Sequence, residues 1–226
     1  MSEPAEQHLP VGRTARYYTL GDAGPATRDV WFVLHGHGQL ARFFLRPFAA
    51  VANAARLIVA PEALNRFYHE NAGAHGPDAR VGATWMTRED RLAEITDYVA
   101  YLDRLYERVM GALPAAEVRV TALGFSQGVA TACRWACPGG GGGRSRLDRL
   151  VLWAGALPAE LSGEADRAAL ARLAVVRVLG ARDPLATPDT IAGDDARFRA
   201  LGVEAPLLRF DGGHEIHAGI LSELAG

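Results

Sequence analysis

Apolar residues along the 226-residue chain fall into short runs, separated by stretches in which they recur every three or four positions. The runs RTARYYTL (13–20), DVWFVL (29–34), RLIVA (56–60), EVRVTAL (117–123), RLVLWAG (149–155), AVVRVLG (174–180) and APLLRF (205–210) are β-rich and bounded by turn residues, which predicts strands. Between them, QLARFFLRPFAAVANA (39–54) and DRLAEITDYVAYLDRLYERVMGAL (90–113) carry one apolar stripe at helical spacing. SQGVATACRWAC (126–137) predicts a third helix, whose small residues suit close packing on a sheet. Strands alternating with helices predict an α/β fold, with a mostly parallel central sheet covered by helices on both faces. The length suits one substantial core, so a single domain over 1–226 is expected. The glycine run PGGGGGRS (138–145) cannot hold a helix and reads as a flexible surface connection. The segment 61–90 has no clear period and is expected to be a long loop, either functional or disordered.

Composition narrows the partners. A net charge of −2 with no basic stripe argues against nucleic acid as the main partner. No apolar run approaches the roughly 18 residues of a membrane span, and MSEPAEQHLPVGR has no basic start followed by an apolar stretch. A cytoplasmic location is therefore expected. Cys133 and Cys137 are four apart on the predicted third helix; with no further Cys or His nearby to complete a metal site, they read as reduced packing residues.

The chemistry centres on ALGFSQG (122–128). A serine between two glycines after an apolar run fits a sharp strand-to-helix turn that holds Ser126 out at the sheet's end, the G-x-S-x-G nucleophile elbow. A serine hydroxyl is a poor nucleophile alone, so it needs a base and a group that fixes that base's tautomer. Of seven histidines only His214 and His217 follow the serine. His214 in RFDGGHEIH lies just past a predicted strand, at the same sheet edge as the elbow, whereas His217 falls inside the predicted last helix. Asp183 in VLGARDP also stands just beyond a strand and is the candidate carboxylate. Asp189, Asp194 and Asp195 read as residues that cap or decorate a helix, and Asp211 as one that shapes a turn. The order Ser126, Asp183, His214 is the order of α/β-hydrolases. An oxyanion hole is expected from the main-chain N–H groups of Gln127 and of His37, in LHGHGQL (34–40). A metal site on His35 and His37 would need His214 as third ligand, and no metal or cofactor is expected.

With these residues assembled, the chain resembles the phospholipase/carboxylesterase family of α/β-hydrolases, which includes acyl-protein thioesterases. The matching pieces are LHGHGQ (34–39), APEA (60–63), TWM (84–86), GFSQG (124–128), GARDP (180–184) and GGHEI (212–216), in the family's order across most of the chain. The resemblance implies a compact hydrolase without a large separate cap. It further implies a Ser126–Asp183–His214 triad, no metal, and carboxylic or thiol esters of small molecules as substrates. Two stretches depart from the family: His37-Gly38-Gln39 stands where an apolar and an acidic residue are usual, and 65–82 is unlike the thioesterase members. Both bear on which ester is cleaved. Against a carboxylesterase of small to medium acyl chains, a thioesterase or lysophospholipase-type hydrolase and an acyltransferase on the same triad are the alternatives, and a non-catalytic scaffold the remaining one. Leu64, Phe67, Tyr68, Trp85 and Met86, near the active edge, are the expected walls of an acyl pocket.

Overall fold

In the computed structural model, residues 3–69, 76–113 and 118–226 are described. Positions 70–75 of the expected long loop and Glu117 at the head of the strand predicted over 117–123 lie outside them. Strands β1 (Tyr17–Leu20), β2 (Asp29–Leu34), β3 (Arg56–Pro61), β6 (Arg119–Phe125), β7 (Arg149–Trp153), β8 (Ala174–Gly180) and β9 (Leu207–Phe210) form one sheet in the order β1-β3-β2-β6-β7-β8-β9. Only β1 runs antiparallel to its neighbour. All six residues of β2 and of β3 are buried, which is why both read as continuous apolar runs without alternation.

Helices cover both faces. Helix α2 (Arg91–Met110) buries Ile95, Tyr98, Val99, Leu102, Leu105 and Val109 as a single stripe. It packs with α3 (Gln127–Ala136) and α5 (Pro188–Leu201) on one core, which α4 (Glu164–Leu170) completes. The other face is closed by α1 (Ala41–Phe44), a 3-10 segment over Arg46–Val51, and α6 (Ala218–Ala225). The helix predicted over 39–54 is thus divided. Pro47 lacks an N–H and clashes with the preceding turn, so the chain tightens into a 3-10 segment with proline in its first turn. Each of the four tryptophans is fully buried with its indole N–H satisfied: Trp31 by Asp29, Trp85 by the His35 carbonyl, Trp135 by Asp103 and Trp153 by the Glu215 carbonyl.

Two further expectations change. The segment 61–90 is not structureless: β4 (Asn65–Tyr68) and β5 (Val81–Thr84) form an antiparallel hairpin. The glycine run is not a loose connection either. It folds back on the end of α3, with the Gly143 N–H on the Trp135 carbonyl at 2.9 Å, and a side chain at Gly142 would lie 2.1 Å from that same oxygen. Cys133 and Cys137 are free and buried, and burial pushes both thiols up, that of Cys137 to about 12.

Candidate active site

Because β2, β6, β7, β8 and β9 run parallel, the loops at their carboxyl ends share one edge, and the predicted groups sit there. Ser126 joins β6 to α3 with φ 53° and ψ −120°, a region that L-residues avoid. The flanking glycines make that turn possible. A Cβ at Gly124 would lie 2.3 Å from the Gly128 carbonyl oxygen, and one at Gly128 would lie 2.2 Å from that of Leu34. The Ser126 N–H donates to the Trp153 carbonyl at 2.9 Å, which ties the elbow to β7.

Asp183 follows β8 by three residues. One carboxylate oxygen accepts from the Leu185 N–H at 2.9 Å, and the other meets Nδ1 of His214 at 2.7 Å. The Asp183 side chain is almost fully buried, whereas the His214 ring is partly open to solvent. Two close approaches hold their loops together: the Arg182 N–H donates to the Gly212 carbonyl at 2.8 Å, and Gly180 lies so near Gly213 that no side chain fits between them. The His214 ring packs on Phe125, next to the serine, with centroids 4.9 Å apart. His217 is elsewhere: it caps α6 and stacks on Phe210 at 4.9 Å. Asp211 pairs with Arg182 on the surface.

The loop after β2 presents backbone amides. The Gly36 N–H donates to the Gln39 side chain, the Gly38 N–H to the Ala83 carbonyl and the Gln39 N–H to the Gly36 carbonyl, which leaves the His37 N–H without a partner among the described residues. Gln127, at the first position of α3, likewise has an N–H beyond the reach of intrahelical bonding. The hairpin buttresses this loop. Ala83 pairs with Gln39, His69 contacts the Gly38 carbonyl at 2.9 Å, and the Phe67 ring stacks on His37. Underneath, His35 is fully buried and burial pulls its imidazole down to about 4. Its Nε2 accepts from the Ala63 N–H at 3.1 Å, so Nδ1 carries the proton and donates to the Gly36 carbonyl at 2.7 Å. With both ring nitrogens committed to backbone, His35 offers no lone pair to a metal.

The expected pocket walls are placed differently. Trp85 is buried beneath the loop and donates to the His35 carbonyl at 2.8 Å, while the Gln127 side chain bridges to Thr84 and the backbone of Trp85 and Met86. The motif TWM therefore braces the turn at Ser126 and the loop after β2. Two cavities flank Ser126, Asp183 and His214, and neither is lined by Leu64, Phe67, Tyr68, Trp85 or Met86. One, of about 410 Å³, lies beside His214 among Phe43, Phe44, Pro47 and Ile216. The other, of about 280 Å³, holds Ser126 and Asp183 and descends between β8 and α5 past Leu179, Ile191, Arg177 and Asp194. Asp194 does not decorate its helix: it is buried, accepts from the Leu157 N–H at 2.9 Å and pairs with Arg177 at 3.4 Å. Asp195, also expected to decorate that helix, pairs with Arg177 at 2.6 Å. The sequence signal for this cavity was Arg177 itself, the one charge inside the run AVVRVLG.

No protein-family model matches the sequence, and no curated protein matches it. Solved structures do. Acyl-protein thioesterase 2 of Zea mays is similar at 15% identity and TM-score 0.68, over 94% of this chain and 96% of that one. A carboxylesterase from Mesorhizobium loti is similar at 20% identity and TM-score 0.63, over 94% and 95%. A phospholipase/carboxylesterase from Dyadobacter fermentans is similar at 13% identity and TM-score 0.60, over 96% and 97%. No helix among the described residues is long and apolar enough to cross a membrane. The chain has the α/β-hydrolase fold, shared over nearly its whole length with esterases and a thioesterase.

Proposed function

We propose that this chain is a serine hydrolase of carboxylic esters, with Ser126 as nucleophile, His214 as base and Asp183 as the group that orients the base. One observation carries the reading: the Asp183–His214 pair at 2.7 Å stands at the sheet edge where Ser126, in its strained turn, lines the same cavity as Asp183. In the first step Ser126 Oγ adds to the ester carbonyl carbon while its proton passes to Nε2 of His214. Asp183 holds Nδ1–H and stabilises the imidazolium that forms. The carbonyl oxygen, now negative, is met by the main-chain N–H groups of His37 and Gln127. The arrangement that leaves the His37 amide uncommitted supports this assignment, because fixed donors need no reorganisation as charge develops. The tetrahedral adduct collapses, His214 protonates the departing alcohol or thiol, and water repeats the cycle on the acyl-enzyme.

The similarity to esterases and a thioesterase agrees with ester cleavage as the general chemistry. The test is direct. Ser126→Ala is expected to remove roughly six orders of magnitude in kcat on a p-nitrophenyl ester, with circular dichroism unchanged. A fluorophosphonate is expected to label Ser126 and no other residue. Full activity in the variant, or labelling elsewhere, overturns the reading. Matched oxygen and thiol esters, and product analysis with competing alcohols, distinguish esterase from thioesterase and hydrolysis from acyl transfer.

A further inference from the structure

The cavity beside Ser126 has an apolar wall and a charged end. Strand register gives its depth: Phe125 pairs with Trp153 and Trp153 with Val178, so Ser126, Ala154 and Leu179 share one level at the carboxyl edge. Arg177 lies two residues back along β8, on the same face as Leu179. At about 3.3 Å per strand residue, its backbone is roughly 7 Å below the nucleophile. Its guanidinium is held there. Nη1 binds Asp195 at 2.6 Å and Asp194 at 3.4 Å, and Nε donates to the Ala205 carbonyl at 2.9 Å. Nη2 has no partner among the described residues, in a side chain that lines the cavity. Asp194 in turn fixes the loop after β7 through the Leu157 N–H. The floor is therefore braced from β8, α5 and that loop together.

Resting on the serine-hydrolase reading above, we infer that the Arg177–Asp194 pair is the floor of the acyl pocket and sets an upper limit on the length of the acyl chain. Carbon–carbon bonds of about 1.5 Å meeting near 111° advance an extended chain by roughly 1.25 Å each, so about six carbons span the drop from the level of Ser126 to that of the Arg177 backbone. Further methylenes would be pressed against a guanidinium and a carboxylate. They would strip water from these charges and return no hydrogen bond. The small residues Ala154, Gly155 and Ala156 give width near the serine, and the length is decided below them. Butanoyl and hexanoyl esters are the preferred class, and octanoyl and longer esters are discriminated against.

The experiment measures kcat and KM for p-nitrophenyl esters from acetyl to dodecanoyl. It uses the wild-type chain, Arg177→Met, and the double variant Arg177→Met with Asp194→Asn, in which the second change keeps an acceptor for the Leu157 N–H. In wild type, kcat/KM is expected to peak at butanoyl or hexanoyl. In the variants the octanoyl-to-butanoyl ratio of kcat/KM is expected to rise by at least roughly tenfold, the size of effect a single methylene produces in a closed pocket, and to do so through KM. A wild-type profile that climbs through dodecanoyl overturns the inference without any variant. So does an unchanged ratio in folded Arg177→Met or double-variant protein. These outcomes are separate from failure of the underlying reading, which is marked by ester cleavage surviving Ser126→Ala.

Discussion

Replacing His35 by a side chain that cannot titrate should remove a specific component of acid sensitivity. The ring is fully buried, and burial lowers its pKa from 6.5 to about 4. The geometry opposes the proton as well, since protonated Nε2 would face the Ala63 N–H that it now accepts from. The sign follows from where the proton binds. As pH falls below 6.5 the unfolded chain takes up a proton at this histidine while the native chain does not, so native stability declines until about 4 and then levels off. At about 1.4 kcal/mol per pH unit, this gap corresponds to about 3 kcal/mol, a large share of a typical folding free energy. His35→Gln retains an amide that can accept from Ala63 and has no charge to gain. Urea unfolding of both proteins at several values from about pH 7 to about pH 4 isolates the effect. Glu62 and Asp29, whose arginine partners hold them below the usual carboxylate range, are common to both proteins and cancel in the difference. Wild type should lose about 3 kcal/mol more than the variant over that window. Parallel curves would refute the account of His35 as a buried neutral prop.

Other outcomes follow from the same geometry. Gly128→Ala would drive a Cβ to 2.2 Å from the Leu34 carbonyl oxygen, and backbone must yield; a loss of about 1–3 kcal/mol in urea unfolding is expected, together with reduced kcat, because β2 leads into the loop proposed to stabilise the oxyanion. A wild-type unfolding midpoint would argue against the close elbow packing. Trp85→Phe strands the His35 carbonyl and should cost about 1–3 kcal/mol, while the ranking of acyl chains stays as in wild type; a changed ranking would return Trp85 to the pocket. Asp183→Asn should keep the fold by circular dichroism and lower kcat by about 10⁴, through the wrong imidazole tautomer. Comparable turnover in that variant would rule out Asp183 as the group that orients His214.

What the sequence disclosed divides along a physical line. Strand β2 and strand β8 occupy the residues their apolar runs predict, because a parallel strand inside a helix-covered sheet is specified by its own composition. The three candidate triad residues could be named because each stands within four residues of the end of such a run, and parallel strands bring their ends to one edge. The hairpin β4–β5 was not visible. Its strands have four residues each, and the Phe67 ring stacks on His37 of the neighbouring loop, so period-two alternation has too little length in which to register. The pocket was hidden for a different reason. Its walls come from the loop after β7, from β8 and the loop that follows it, and from α5, and what faces the serine depends on how that helix lies on the sheet, which no local pattern records. Two local signals were nevertheless present, Pro47 inside a predicted helix and Arg177 inside a predicted apolar strand. A charge in the middle of an inner strand must find partners, and the search for them leads to Asp195 and to Asp194, which lines the cavity together with Arg177. The residue that breaks the strand's pattern is thus the one from which the substrate limit is read.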